Sequence, residues 1–197
     1  MKGSCTLFFV RHGQTEHNVK GLIQGHSDSA LTAEGKKECH RLKNRFKKVR
    51  IEAIYSSDLL RAKETARIIA LPHRLNVVFN AALRERNYGG IEGKHWTILD
   101  IIHKDLVKLT DQERHSFRAH PLAESNKDVI DRLLPFVKGI AKKHLGEKVI
   151  LVSHGGLIRI FLNYIGFIKP EDKIFIKNGE VVKVTTDGKT FQVKESL

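Results

Sequence analysis

A chain of 197 residues with 41% hydrophobic and 29% charged side chains can bury a sizeable core, which excludes disorder and fits one domain over residues 1–197. With 35 lysines and arginines against 22 acids, the net charge of +13 favours anionic partners: phosphorylated metabolites, nucleic acid or acidic lipid. The only apolar run near the N-terminus, Leu7 to Val10, is too short for a signal peptide or a membrane span, and Cys5 and Cys39 have neither CxxC spacing nor a disulfide framework, so a cytoplasmic protein without a membrane partner is expected.

The first predicted element is a strand near Thr6–Val10. It stops abruptly on Arg11, His12 and Gly13, groups that are or can be cationic with no acid beside them. The turn-rich stretch GLIQGHSDSALTAEG leads to a helix from about Thr32 to Lys48. Cys39, Leu42, Phe46 and Val49 recur there at helical spacing. Lys36 to Arg50 carries eight basic residues against the single acid Glu38, so the outer face is basic and expected to stay solvated. A short strand over Ala53–Tyr55 meets Ser57, read as the N-cap of a helix to about Ile69 with Arg61 in its first turn. Asn76–Phe79 is a third strand, ending near LRERNYGG, where Glu85 lies. From Trp96 to Phe117 the pattern is helical but irregular.

Ser125 and Asp128 open a long helix to about His144, with Val129, Leu133, Phe136, Val137 and Ile140 on one side. Pro135 is awkward there, because an interior proline costs roughly 3 kcal/mol or bends the helix. The strand Lys148–Ser153 ends on His154, and Gly155-Gly156 opens a helix to Ile165. Asn178-Gly179 and Asp187-Gly188 suggest short terminal strands joined by tight turns. Strands alternating with helices predict an α/β fold, a mostly parallel central sheet with helices on both faces. Ligands of such sheets bind beyond the carboxyl ends of the strands.

Two His-Gly pairs therefore meet at one edge of one sheet. Arg11, His12, Arg61 and His154 can surround a small dianion, the N–H groups at Gly155 add an anion site without side chains, and Glu85 supplies a carboxylate for proton transfer. Scaffolding accounts for each residue singly: a hydrogen-bonded strand-end histidine, or an Arg61–Glu85 ion pair. Metal chemistry is not expected, since the 11 histidines include no HExxH pair and no Cys/His ligand spacing. A nucleotide loop is absent too: Gly188-Lys189-Thr190 has Lys183 where the first glycine of a GxxxxGK[ST] should be.

The ordered segments VRHGQTEHN, GHSDSALTAEG, SSDLLRAKETA, LRERNYGGIEG and VSHGG resemble those of the histidine phosphatase superfamily, in the branch that includes cofactor-dependent phosphoglycerate mutases and broad-specificity phosphatases. The resemblance runs from Leu7 to about Gly166. It implies a phosphoglycerate mutase-like fold, with His12 as the nucleophile that forms a phosphohistidine and Glu85 as the proton donor, which must start as the neutral acid. It also implies that Arg11, Arg61, His154 and Gly155 hold phosphoryl oxygens, assisted by Asn18, Gln24 and Gly25. No cofactor or metal is required, the partner is a small phosphorylated metabolite, and no specific nucleic acid is expected. Gln14 stands where glutamate is common, His17 where many members carry tryptophan, and Ala123 where a GES segment has glycine. The segment 86–124 is expected to cover the site as a lid, with Arg86, Tyr88, Lys94, Trp96, Arg118 and His120 as candidate grips on a second anionic or planar group. Family mutases carry a longer insertion there. Phosphate release rather than isomerisation is therefore expected, as is a non-catalytic anion- or nucleic-acid-binding role only if phosphatase activity is absent.

Overall fold

The computed structural model describes residues 3–106, 109–170, 172 and 174–194. In chain order its elements are β1 (Cys5–Arg11), α1 (Glu16–Val19), α2 (Ala33–Phe46), β2 (Ala53–Ser56), α3 (Leu60–Ala70), β3 (Val77–Phe79), α4 (Thr97–Leu106), α5 (Asp111–Ser116), α6 (Asn126–Lys143), β4 (Lys148–Ser153), α7 (Gly155–Tyr164), β5 (Val181–Thr186) and β6 (Phe191–Lys194). Six strands form one sheet in the order β3-β2-β4-β1-β5-β6. The first four are parallel, while β5 and β6 add antiparallel pairs beside β1. The expected mostly parallel sheet is present.

The two central strands are apolar on both sides because both sides are covered. Leu7 and Phe9 of β1, with Val149 and Leu151 of β4, join the core under α6 and α7. Phe8 and Val10, with Ile150 and Val152, join a second core under α2 and α3. Phe9 stacks on Phe161 at 4.9 Å between centroids, so truncating it to alanine would remove about 3–5 kcal/mol. Among the described residues no helix is long and apolar enough to cross a membrane.

Several boundaries differ from the sequence expectation, each for a physical reason. Ser57 is not the N-cap of α3. The helix starts at Leu60 with no side-chain cap of its own, and Asp28 from the preceding loop accepts from the Leu60 N–H at 2.9 Å instead. Helix α6 runs through Pro135 unbroken. Pro135 and Asp131, whose carbonyl the proline cannot bond, both lie on the exposed side where water can substitute. The capping box at its start is present, with Ser125 and Asp128 bonded reciprocally. The irregular helical stretch is two helices, the second capped by Thr110 and Glu113; Val107 and Lys108, inside both this stretch and the expected lid, lie outside the described residues. Asn178-Gly179 is not a hairpin turn. It precedes β5 and grips the end of β1, whereas the loop 187–190 joins β5 to β6.

Candidate active site

Strands β1 and β4 lie in parallel register, with Arg11 opposite Ser153, so the residues that follow each strand emerge side by side. The His12 and His154 rings are consequently 5.1 Å apart, 142 positions distant in sequence and both buried. The loop after β1 is fixed from behind. The Gly13 N–H donates to Thr65 Oγ1 at 3.1 Å, and Asn178 Nδ2 donates to the His12 carbonyl at 3.0 Å.

His12 Nδ1 lies 2.7 Å from the Gly13 carbonyl oxygen. A carbonyl only accepts, so Nδ1 carries the proton and the Nε2 lone pair is left for other chemistry. Burial, reinforced by the charges of Arg61 and Arg11, holds the His12 pKa well below its ordinary value. The ring is thus neutral at physiological pH. The same causes, burial first and then Arg61, depress His154. Its Nε2 is hydrogen-bonded with Ser57 Oγ at 2.9 Å, which is the role Ser57 plays in place of helix capping.

Arg61 is almost wholly buried, at 1% exposure. Its Nη2 donates to the Gly25 carbonyl at 2.7 Å, and Nη1 donates to the Ser27 carbonyl and to Asp28 Oδ1 at 2.8 and 3.0 Å. Asp28, not Glu85, is therefore its ion-pair partner. Arg11 is held by the Ile176 carbonyl at 2.5 Å and lies under the Phe175 ring. Burial, above all, lowers the pKa of both guanidinium groups, and each lies near enough to Glu85 for that carboxylate to oppose the shift. Among the described residues, Arg11 Nε, Arg61 Nε, His154 Nδ1 and Gln24 Oε1 are buried without a partner. Four more such atoms lie on His17, His73, Arg86 and Arg114. An orphaned buried group costs about 1–3 kcal/mol, so three of them together on Arg11, Arg61 and His154 make this cluster a candidate ligand site.

Glu85 corrects one expectation. The N–H groups expected to await an anionic ligand at the start of α7 are largely taken: Gly156 donates to Glu85 Oε2 at 2.9 Å and Leu157 to Oε1 at 2.8 Å. The anion at that helix N-terminus is Glu85 itself, with Gly155 left as the free donor. The approach is close, so a side chain at Gly156 would displace the carboxylate. A Cβ at Gly156 would sit 2.7 Å from Glu85 Oε1, and one at Gly155 would sit 3.2 Å from Arg11. The Arg86 N–H adds a third donor at 2.8 Å, and the Glu85 carbonyl accepts from His26 Nε2 at 2.9 Å and Arg132 Nη2 at 3.0 Å. Arg132 also binds Glu124, so α6 fixes the backbone that carries the acid.

The assisting residues divide. Asn18 Oδ1 accepts from the Thr15 N–H at 3.1 Å and from Asn178 Nδ2 at 3.2 Å, leaving its amide N–H groups as donors. Gln24 is buried, with its Oε1 unpartnered, whereas the carbonyl of the next residue, Gly25, positions Arg61. Of the candidate grips, Arg86 lines a cavity and covers the Tyr88 ring. Arg118 binds Asp128 and the Ala123 carbonyl, His120 accepts from the Leu122 N–H, Lys94 is exposed, and Trp96 is half exposed. Asp28, Ser57, Asn178, His26, Glu124 and Arg132 were missed. Some left a trace in the motifs, His26 and Asp28 in GHSDSALTAEG, Ser57 in SSDLLRAKETA and Glu124 in the segment matched to GES, but none was assigned its role. Among the described residues no group of three His, Cys, Asp or Glu side chains is placed to hold a metal ion.

The chain is similar to known proteins over most of its length. The chain is 37% identical over 155 residues to phosphoglycerate mutase-like protein 4 of Arabidopsis thaliana, covering 78% of this chain and 67% of that one. It is 36% identical to the metal-independent phosphoserine phosphatase of the same plant, over 78% of this chain and 65% of that one. A phosphoglycerate mutase of Bacillus anthracis superposes with a TM-score of 0.84 at 26% identity, covering 100% of this chain and 93% of that one. The profile of the histidine phosphatase superfamily (branch 1) matches residues 7–196, and the protein belongs to that superfamily.

Proposed function

We propose that this protein is a phosphomonoesterase that hydrolyses small phosphorylated metabolites through a phosphohistidine on His12, without a metal. One observation supports this above the others: Nδ1 of a buried, neutral His12 is tied to a carbonyl, which frees Nε2 beside two buried arginines. In the first step the Nε2 lone pair attacks phosphorus, the P–O ester bond breaks, and Glu85 gives its proton to the departing oxygen. Arg11, Arg61 and His154 stabilise the charge on the transferring group, with Asn18, Gln24 and the Gly155 N–H assisting. In the second step water attacks phosphorus, Glu85 takes a proton from it, the P–N bond breaks and phosphate leaves.

Relatives named phosphoserine phosphatase and phosphoglycerate mutase-like support a small phosphorylated substrate without choosing between hydrolysis and isomerisation. Hydrolysis is favoured because only 39 residues separate Glu85 from Ser125, a short cover that leaves water access to the intermediate. The basic face of α2 serves as a solvated surface rather than a nucleic-acid site. The test supplies 3-phosphoglycerate with a trace of 2,3-bisphosphoglycerate and follows 2-phosphoglycerate and free phosphate together. Phosphate release is expected; rapid interconversion with little phosphate would make the protein a mutase, and tight nucleic-acid binding without turnover of any ester would make it a binding module.

A further inference from the structure

A cavity of about 660 Å³ lies between α5, α7 and the start of α6. Its lining includes none of Arg11, His12, Arg61 or His154, so its volume is additional to the space around the phosphoryl group. Glu85 is not in the lining either, but two of the elements that hold Glu85 are. Arg86, whose backbone N–H binds Glu85, forms one wall, and α7 forms another. That helix holds Glu85 at Gly156 and Leu157 and presents Arg159, Ile160 and Asn163 to the cavity. At 1.5 Å per residue, the wall extends about 10 Å from the carboxylate. Because Glu85 protonates the leaving oxygen, the leaving group extends on this side.

The lining combines two chemistries. Leu106, Phe117, Ile160 and Ile168 supply apolar surface. Arg86, Arg114, Arg159 and Lys169 supply positive charge against a single acid among the described lining residues, Asp111, which is paired with Arg114. Two of these arginines are only partly used: the Nε atoms of Arg86 and Arg114 are buried without a partner. Arg159 is held in place by the Pro170 and Asp172 carbonyls, at 3.2 and 3.0 Å from Nη2, which neutralise none of its charge. A volume in the range of roughly 300–1,000 Å³ holds a drug-sized molecule, far more than the three-carbon body of phosphoserine or phosphoglycerate.

We propose that this cavity receives the organic part of the substrate, and that the preferred substrates are phosphomonoesters whose apolar chain or ring ends in a second anionic group bound by Arg159 and Arg114. The assignment rests on the phosphomonoesterase reading of His12 and Glu85. Its test compares kcat/KM for phosphooxy-octanoate, octyl phosphate and phosphoserine, with p-nitrophenyl phosphate reporting an intact catalytic site. Phosphooxy-octanoate is expected to exceed the other two by about tenfold or more, the scale of one well-placed charge-assisted contact. In Arg159→Met the ratio of phosphooxy-octanoate to octyl phosphate should fall toward one, and Arg159→Lys should restore part of it. Equal or better turnover of octyl phosphate or phosphoserine by the wild type overturns the proposal, as does a ratio unmoved in both Arg159→Met and Arg114→Met. If no ester is turned over, the hydrolytic reading fails and the cavity is judged separately by calorimetry with hydroxy-octanoate. Binding weakened by Arg159→Met then sustains the assignment, and no binding at millimolar concentration overturns it.

Discussion

The molecule buries histidines near both ends of its sheet and treats them in opposite ways. Near the amino end of β4, His144 bonds on both sides, Nε2 with Tyr55 Oη at 3.0 Å and Nδ1 with Glu147 at 2.6 Å. Every polar atom of that ring has a neighbour, and the cluster closes the junction between α6 and β4. At the carboxyl ends, His12 and His154 are packed against each other and against two arginines, with His154 Nδ1 and both arginine Nε atoms left over. Satisfied polar groups hold a fold together. Unsatisfied ones, kept in place by the surrounding structure, are what a ligand completes.

The comparison is broken most severely at His12. His12→Ala should lower turnover of p-nitrophenyl phosphate by at least about 10⁴-fold, the scale seen when a nucleophile is removed. Its melting temperature should not fall, because the ring removed is a buried group crowded by cations. Retained turnover would show that the nucleophile lies elsewhere. Glu85→Gln should cost about 10²–10⁴-fold on alkyl phosphates and much less on p-nitrophenyl phosphate, whose leaving oxygen needs little protonation. Equal losses on both would remove Glu85 from the acid role.

His144 should show the reverse. Tyr55→Phe or His144→Ala should remove about 1–3 kcal/mol in urea titrations while kcat/KM stays put, since the damage is a broken satisfied network far from the chemistry. The two ends also differ in pH response. His12 and His154 resist protonation in the fold but titrate normally, near 6.5, when unfolded. Above that pH both states are neutral and the pair contributes nothing. Below it the unfolded chain binds protons that the native site refuses, so stability should decline as pH falls from about 6.5, with a shallower decline in His12→Ala. For the same reason the acid limb of kcat/KM attributable to the nucleophile should lie below 6.5. The smallest expected effect is none: dialysis against EDTA should leave the rate unchanged, and a loss restored by a divalent cation would overturn the metal-free mechanism.

Much of this was legible in the sequence wherever a local pattern coincides with a physical cause. The apolar runs ending at Arg11 and at His154 needed burial on both faces, and Ser125 with Asp128 signalled the start of α6. Arg11, His12, Arg61, Glu85 and His154 each sit at a strand end, a helix start or a motif, and all five converge. What escaped works across the chain. Asn178 reaches His12 over 166 positions, and Asp28 reaches across 32 to cap α3 at Leu60. Arg132 looks like any basic residue on a helix face until its contacts with Glu124 and the Glu85 carbonyl are known. The competition of Glu85 for the α7 N–H groups is likewise invisible without the distance between them.

The central place of β1 has a consequence for how the protein comes into being. Of the six strands it is made first, yet its neighbours on either side are β4, pairing Thr6 with Lys148, and β5, pairing Val10 with Val181. Such long-range closure is slow, so a nascent chain carries Arg11 and His12 well before β4, His154 and Asn178, which complete their surroundings, have been made. Until then the strand Thr6–Val10 is an unpaired hydrophobic segment, open to non-native pairing. Completion of the candidate site and pairing of this strand are one and the same late event.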